Sequence, residues 1–406
     1  GPKIANVIEE FLSQNPDLEQ AILGAIGSQD PPTQFINSFM DDLRSRIAGT
    51  LGSTSIEQDI APANYGSCTS PVRDRLLHLW AQAAGDPADF VPDWFKLGAP
   101  AGINTEFPDM SQIWAPAEEE DTLGPDDLHE DPADHANDPV IDNDEDVRHL
   151  VEKYKEKGWV KVFKSHRELK RAVGKGYVIS DIITIEKKKF DPVSKQWTAK
   201  KRTVLNLAAS GITAASRLPW KTQLPRATDA AADTLDCIFD LLPDEDVEFL
   251  VIDAEDAFWT LPNVPKERKY FVTRVGHDLI VLLRTAQGSR GASLTWATFA
   301  GLAARCVQSL FTHAHMARTR TKEELRLQMY VDDPWAVMRG TTQRRSRLAS
   351  MLITGWLVLG VPMAFKKAKM AQKLQWVGVV IQAMTPNQTV LLEVPEEKLE
   401  ELRHIT

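Results

Sequence analysis

Cysteine is scarce in this chain of 406 residues: Cys68, Cys237 and Cys306 stand far apart, with no CxxC pair and no Cys/His cluster. That excludes a disulfide framework and a structural zinc site, and makes a reducing intracellular compartment, cytoplasm or nucleus, the expectation. Long hydrophobic runs are also missing. No segment reaches the ~18 uninterrupted apolar residues of a membrane span, and no charged n-region precedes an apolar run at the start, so neither a membrane nor secretion is expected. Basic residues are rare in the first part, where residues 1–150 hold 7 Lys+Arg against 29 Asp+Glu, a net of −22. Residues 151–406 hold 40 against 28, a net of +12, which masks itself in the overall −10. An acidic leader joined to a basic remainder fits polyanion binding by the second part only; ordinary solvated surface charge is the plainer alternative.

With 43% apolar and 26% charged residues the chain can bury a substantial core. Apolar positions at helical spacing (Ile4, Val7, Ile8, Phe11, Leu12), broken at Asn15-Pro16 and Asp30-Pro31-Pro32, predict several short helices over 4–48. Ser70-Pro71 reads as a helix cap and first turn before Leu76, Leu77, Leu79 and Trp80. Residues 1–115 thus form a mainly helical leader without visible chemistry. Residues 116–147 are an acidic stretch of Glu, Asp, Pro and Asn with few apolar residues, expected to be a disordered linker; solvated acid is the favoured account of its His129 and His135 over metal binding.

Beyond 148 the pattern mixes helix and strand. A helix is predicted over 147–157, a hairpin over about 177–207 turning at Asp191-Pro192, and a strand Val247–Ile252. A hairpin comes next over 270–283 through Gly276-His277-Asp278, then a helix over 293–316. Strand Leu327–Val331, a turn at Asp332-Asp333, strand Trp335–Met338, a helix over 342–359 and a hairpin over 373–393 complete the order. The class this predicts is α+β, a small antiparallel sheet backed by helices.

Two strands end on acids: Phe249-Leu250-Val251-Ile252-Asp253 and Met329-Tyr330-Val331-Asp332-Asp333. Carboxylates at strand termini stand on the rim of a rigid sheet, and two such rims on neighbouring strands can clamp divalent cations. Hard Mg²⁺ prefers such oxygens, and paired metals roughly 3.5 to 4 Å apart are what phosphoryl transfer to a hydroxyl uses. Adjacent acids alone decide nothing, since Asp41-Asp42 and Asp126-Asp127 have ordinary helix-surface and linker explanations.

Tyr330-Val331-Asp332-Asp333 resembles the catalytic turn of reverse transcriptases, and Asp253-Ala254-Glu255-Asp256-Ala257-Phe258 resembles the preceding metal motif, continued by Leu261-Pro262 and Lys269-Tyr270-Phe271. Gln287-Gly288-Ser289-Arg290-Gly291-Ala292-Ser293 falls between the acids where the family has a Gln-Gly segment. Leu359-Gly360-Val361-Pro362 with Lys367, and Trp376-Val377-Gly378, resemble later motifs; Glu156-Lys157-Gly158-Trp159-Val160 and Lys201 to Asn206 resemble the family's start. The ordered set runs from about 148 to 394 and is most similar to retrotransposon and retroviral-type enzymes.

The resemblance implies an RNA-directed DNA polymerase of a polyprotein, with the fingers and palm of a right-hand polymerase and a ferredoxin-like palm sheet. Fingers would be 148–235, palm 236–394 and the start of a thumb 395–406; most of the thumb, and any ribonuclease H, protease or integrase, would lie outside the chain. Asp253, Asp332 and Asp333 would be catalytic; Asp253, Ala254, Asp332 and Asp333 would form the metal set for two Mg²⁺, with Mn²⁺ a possible substitute. Arg202 would bind the incoming triphosphate, with Lys187, Lys188 or Lys189 a further candidate, a task that suits a guanidinium. Phe258 would exclude a ribose 2′-hydroxyl, Gln287 and Gly288 would line the nucleotide pocket, and Lys367 would protonate departing pyrophosphate. The partners implied are a primed RNA or DNA template and deoxynucleoside triphosphates.

The residues themselves leave alternatives open: Phe258 as core, Arg202 as an exposed strand residue, Lys367 as helix-end charge. Asn206-Leu207-Ala208-Ala209 departs from the acid and Arg of many relatives, and Pro334 removes a ladder N–H directly after the acids. The competing functions are an RNA-directed RNA polymerase, opposed by Phe258 and Gln287-Gly288, and a domesticated relative that binds nucleic acid without catalysis, opposed by the intact acids.

Overall fold

The computed structural model describes residues 1–65, 68–118, 128, 145–191, 196–285, 288–311 and 323–405. Nearly all of the expected acidic linker, its His129 and His135, the hairpin turn at Pro192 and Gln287 lie outside the described residues, as do the side chains of Arg202 and Lys187 to Lys189.

The leader contains helices α1 (Pro2–Gln14), α2 (Pro16–Ala25), α3 (Met40–Thr50) and α4 (Asp74–Ala84). Ile4, Ile8, Phe11 and Leu12 share the buried face that their spacing predicts. Ser70 does not cap α4, because it ends a short strand, Cys68–Ser70, and its hydroxyl donates to the Thr260 carbonyl; the helix opens only at Asp74.

After the leader come α5 (Glu145–Glu156), β1 (Val160–Phe163), β2 (Ile182–Asp191), β3 (Gln196–Leu205) and α6 (Ala227–Ile238). The next elements are β4 (Asp246–Val251), β5 (Val272–Val275), β6 (Asp278–Leu282), α7 (Arg290–Gln308), β7 (Leu325–Tyr330), β8 (Asp333–Gly340) and α8 (Thr342–Val358). β9 (Lys369–Ala371), β10 (Lys373–Trp376), β11 (Val379–Met384), β12 (Thr389–Glu393) and α9 (Glu396–Ile405) end the order.

Four strands pair antiparallel in the order β7-β8-β4-β9. β1-β6-β5 and β10-β11-β12 form two further antiparallel sheets, and β2-β3 is a hairpin. The chain is therefore a mixture of helices and small antiparallel sheets, as the α+β expectation had it.

Several predicted boundaries move. Tyr177 to Ile179 are not part of the β2-β3 ladder; Ile179 instead bridges Val272. Tyr270 lies in a 3-10 turn, Pro265–Tyr270, and the helix predicted over 293–316 runs as α-helix from Arg290 to Gln308. The hairpin predicted over 373–393 is a three-stranded sheet.

Alternation along the four-stranded sheet separates two cores. Leu250, Ile252, Ala336 and Met338 face α7 and α8, while Val247, Phe249, Trp335 and Val337 face α6 and the sheet β10-β11-β12. The leader joins the first core: Ile4, Ile8, Phe11, Ile22, Leu43 and Trp80 belong to one apolar cluster with Leu302, Leu352 and Trp356. Gly360 shows how close the approach is, since a Cβ there would stand 2.0 Å from the Pro71 carbonyl oxygen, at a φ of +75°.

Candidate metal centre

The register of β4 against β8, Trp335 opposite Val251, continues past the strand ends: Ile252 N–H donates to the Pro334 carbonyl at 3.3 Å and Ala254 N–H to the Asp332 carbonyl at 2.7 Å. This extension sets Asp253 across from Asp333. Pro334 gives no N–H back to β4, so the ladder is one-sided at that step.

The turn differs from the expected one. Tyr330 pairs with Asp333, so the loop is Val331-Asp332 and Asp333 is the first residue of β8. Val331 sits at a φ of +53°, a left-handed position that glycine ordinarily takes in a two-residue hairpin and that costs a β-branched residue about 1 to 3 kcal/mol. The surroundings hold it there. Trp296 Nε1–H donates to the Val331 carbonyl at 2.8 Å and Trp376 Nε1–H to the Asp333 carbonyl at 3.2 Å. With Ala254 on Asp332, three successive carbonyls are each fixed by a different part of the chain. Asp253 is fixed in the same way, its carbonyl accepting from Ala364 N–H at 2.8 Å while Glu255 N–H donates to the Pro362 carbonyl at 2.8 Å.

Carboxylate oxygens of Asp253, Asp332 and Asp333 lie within 4.8 Å of one another. Burial first, then the charges of Asp332 and Asp253, push the Asp333 carboxyl up to about 7, with Lys367 opposing. Three carboxylates that repel this strongly form a hard-oxygen set that a divalent cation would neutralise, so the residues fit a metal of the Mg²⁺ kind. Ala254 carries no side-chain ligand; only its carbonyl could serve.

Lys367 is brought to this cluster, its ammonium pairing with Asp253 Oδ2 at 2.5 Å. Burial alone would lower its pKa, but the hydrogen bond to Asp253 and the charges of all three aspartates raise it. Phe258 stands in the 3-10 turn Ala257–Thr260, half-buried, its ring 6.4 Å from that of Trp296, which also bonds the Val331 carbonyl. Gly288 is exposed and sits against the root of the β2-β3 hairpin, where a Cβ would be 3.5 Å from the Leu205 carbonyl oxygen. Arg202 is on that hairpin, opposite Ile185.

Sequence reasoning missed Trp296 and Ala364 altogether, and it gave Trp376 and Pro362 no bonding role. Buried tryptophans read as core in a sequence, and only the fold reveals that their N–H groups point at the turn. The nearest sequence signals were the Trp376-Val377-Gly378 and Leu359-Gly360-Val361-Pro362 matches.

No family model and no curated protein matches the chain. Among solved structures, the foamy viral protease-reverse transcriptase in complex with an RNA/DNA hybrid is similar at 14% identity over 65% of this chain and 29% of that one, with a TM-score of 0.41. The same viral protein with double-stranded DNA is similar at 14% identity over 64% and 43%, with a TM-score of 0.39. The native prototype foamy virus protein is similar at 13% identity over 58% and 26%, with a TM-score of 0.37. The chain thus spans less than half the length of each of these viral proteins.

Proposed function

We propose that the chain is a template-directed nucleotidyltransferase, an RNA-directed DNA polymerase of the retrotransposon and retroviral type. The observation that carries this reading is the three-carboxylate cluster at the rims of two paired strands, within 4.8 Å, formed by the residues of the Asp253 and Tyr330 to Asp333 motifs. In this reading 148–235 serve as fingers, 236–394 as palm and 395–406 as the start of a thumb.

Asp253 and Asp332 would hold two Mg²⁺, with the Ala254 carbonyl as an additional donor and Asp333 supporting the pair. Bound there, the ions would lower the cost of charge developing on the attacking and leaving oxygens. The protein's own part is placement. The fixed carbonyls of Val331, Asp332 and Asp333 keep the carboxylates from relaxing apart, and that rigidity is what positioning a primer 3′-hydroxyl demands. Arg202 would take the triphosphate, Gln287 and Gly288 would border the base and sugar, and Phe258 would bar a 2′-hydroxyl. Lys367 is within reach of the cluster through its pair with Asp253, a place from which it could deliver a proton to departing pyrophosphate.

The test is primer extension on RNA and DNA templates with either nucleotide type. Asp332→Asn should abolish Mg²⁺-dependent extension and leave thermal unfolding cooperative; extension within a few fold of the parent chain would refute the assignment.

A further inference from the structure

Strand alternation gives the sheet β1-β6-β5 two covered faces. On one of them Val160, Ile280 and Leu282 meet α5, Trp259 and the Leu205 root of the β2-β3 hairpin. On the other, Phe163, Leu279 and Val281 meet the helix His166–Val173 through Leu169 and Val173. The sheet therefore stands between this helix and the Ala257–Thr260 turn that carries Phe258.

Leu169 is fully buried, whereas Arg167, Lys170 and Arg171, at i, i+3 and i+4, lie on the opposite side of the helix, all exposed. Exposed Lys175 follows the helix, and exposed Lys266 belongs to the 3-10 turn Pro265–Tyr270 on which the helix packs. Among the described residues no carboxylate pairs with any of these five cations. The acids at hand are engaged otherwise: Glu168 accepts the Lys164 N–H at 3.1 Å, and Asp278 holds the Lys164 ammonium at 2.7 Å. By contrast, exposed Arg46, Lys96, Arg305 and Lys373 each have a carboxylate, in Asp42, Asp74, Asp86 and Glu393. The helix dipole accounts for Lys170 and Arg171 in the last turn but works against Arg167 in the first. No large apolar side chain is exposed on this face among the described residues, as a helix lying in a bilayer surface requires, so the partner it fits is a hydrated polyanion.

We propose that this face is a second nucleic-acid surface, which binds the phosphodiester backbone of RNA or DNA away from the carboxylate cluster and without regard to sequence. The choice of nucleic acid as the polyanion rests on the polymerase reading, but the test reads binding alone.

The probe is a fluorescein-labelled oligothymidylate titrated into the full chain in chelator, without nucleotides, over a series of salt concentrations, with binding read by anisotropy. The triple variant Arg167→Ala, Lys170→Ala, Arg171→Ala should bind at least about tenfold more weakly at low salt, and its plot of log affinity against log salt should be shallower by about 2, for three contacts on a single strand. Alanine is the best helix former and the three side chains are exposed, so the melting temperature should hold. A control variant, Lys3→Ala, Arg46→Ala, Lys96→Ala, removes the same charge from the leader and should keep the parental slope. An oligonucleotide that the parent chain does not bind, an unchanged slope in the triple variant, or an equal loss in the control would each overturn the surface. So would parental binding to phosphatidylserine vesicles that the triple variant loses while it keeps the oligonucleotide. A parent chain that binds through this face yet extends no primer would sink the polymerase reading and leave the surface standing.

Discussion

At the scale of single residues, Phe258 and Asp333 make opposite demands on their surroundings. Phe258 is half-buried and packs beside Trp296. If its exposed part meets the nucleotide sugar, Phe258→Val should raise ribonucleotide use relative to deoxynucleotide use. Exclusion of a hydroxyl by bulk is worth about 3 kcal/mol or more, on the order of a hundredfold, since each 1.36 kcal/mol is tenfold in rate. Incorporation efficiencies for the two nucleotides on one template decide it: a lower melting temperature with an unchanged ratio marks an ordinary packing residue. Asp333 holds its proton up to about 7 against an ordinary 3.8. The folded state therefore binds that proton more tightly than the unfolded state. Its contribution to stability is fully present below pH ~4 and is lost as pH rises through ~7. In chelator the melting temperature should fall between those values, Asp333→Asn should flatten the fall, and Mg²⁺ should stabilise the parent chain more at pH 8 than at pH 5.5. A melting temperature indifferent to Mg²⁺ at pH 8 would count against a metal at this cluster.

At the scale of elements, the β7-β8 hairpin is strained where it is most needed. Val331 at a φ of +53° is tolerable because the Trp296 indole in α7 and the Trp376 indole in β10 grip the carbonyls on either side of Asp332. Trp296→Phe keeps most of the packing and deletes one grip, leaving the Val331 carbonyl without that donor. The expected loss is about 1 to 3 kcal/mol of stability from the unpaired group. Extension should fall about a hundredfold, because a displacement near 1 Å at a reacting centre costs that much. A folded Trp296→Phe chain that extends primers at the parental rate would show that the indole does not set the position of Asp332.

At the scale of the whole molecule, the leader is not an appendage. Ile8, Phe11 and Leu12 of α1 are at most 1% exposed and share a core with α7 and α8 behind the four-stranded sheet. Arg73 N–H bonds the Leu359 carbonyl at 2.9 Å, and the buried Glu267 carboxylate accepts the N–H groups of Ala101, Ile103, Asn104 and Thr105. Ile8→Ala should therefore cost about 2 to 5 kcal/mol, and it should lower the single melting transition of the whole chain. A chain cut to residues 116–406 should lose cooperative unfolding, seen by calorimetry. Two separate transitions in the parent chain, with only the first moved by Ile8→Ala, would contradict a shared core.

Local pattern accounts for much of this protein. Helical spacing marked the buried face of α1, alternating or continuous apolar runs marked β4 and β8, and strands ending on acids marked the cluster of Asp253, Asp332 and Asp333, because each of these signals is written in neighbouring residues. The placement of the turn at Val331-Asp332 was not legible, since it depends on a φ that a valine adopts only when distant indoles hold its carbonyl. The merger of leader and sheet and the pairing of Lys367 with Asp253 were equally hidden. Each arises from residues far apart in the chain, some by more than a hundred positions, and only tertiary packing decides which distant groups meet and which buried ones are left without a partner.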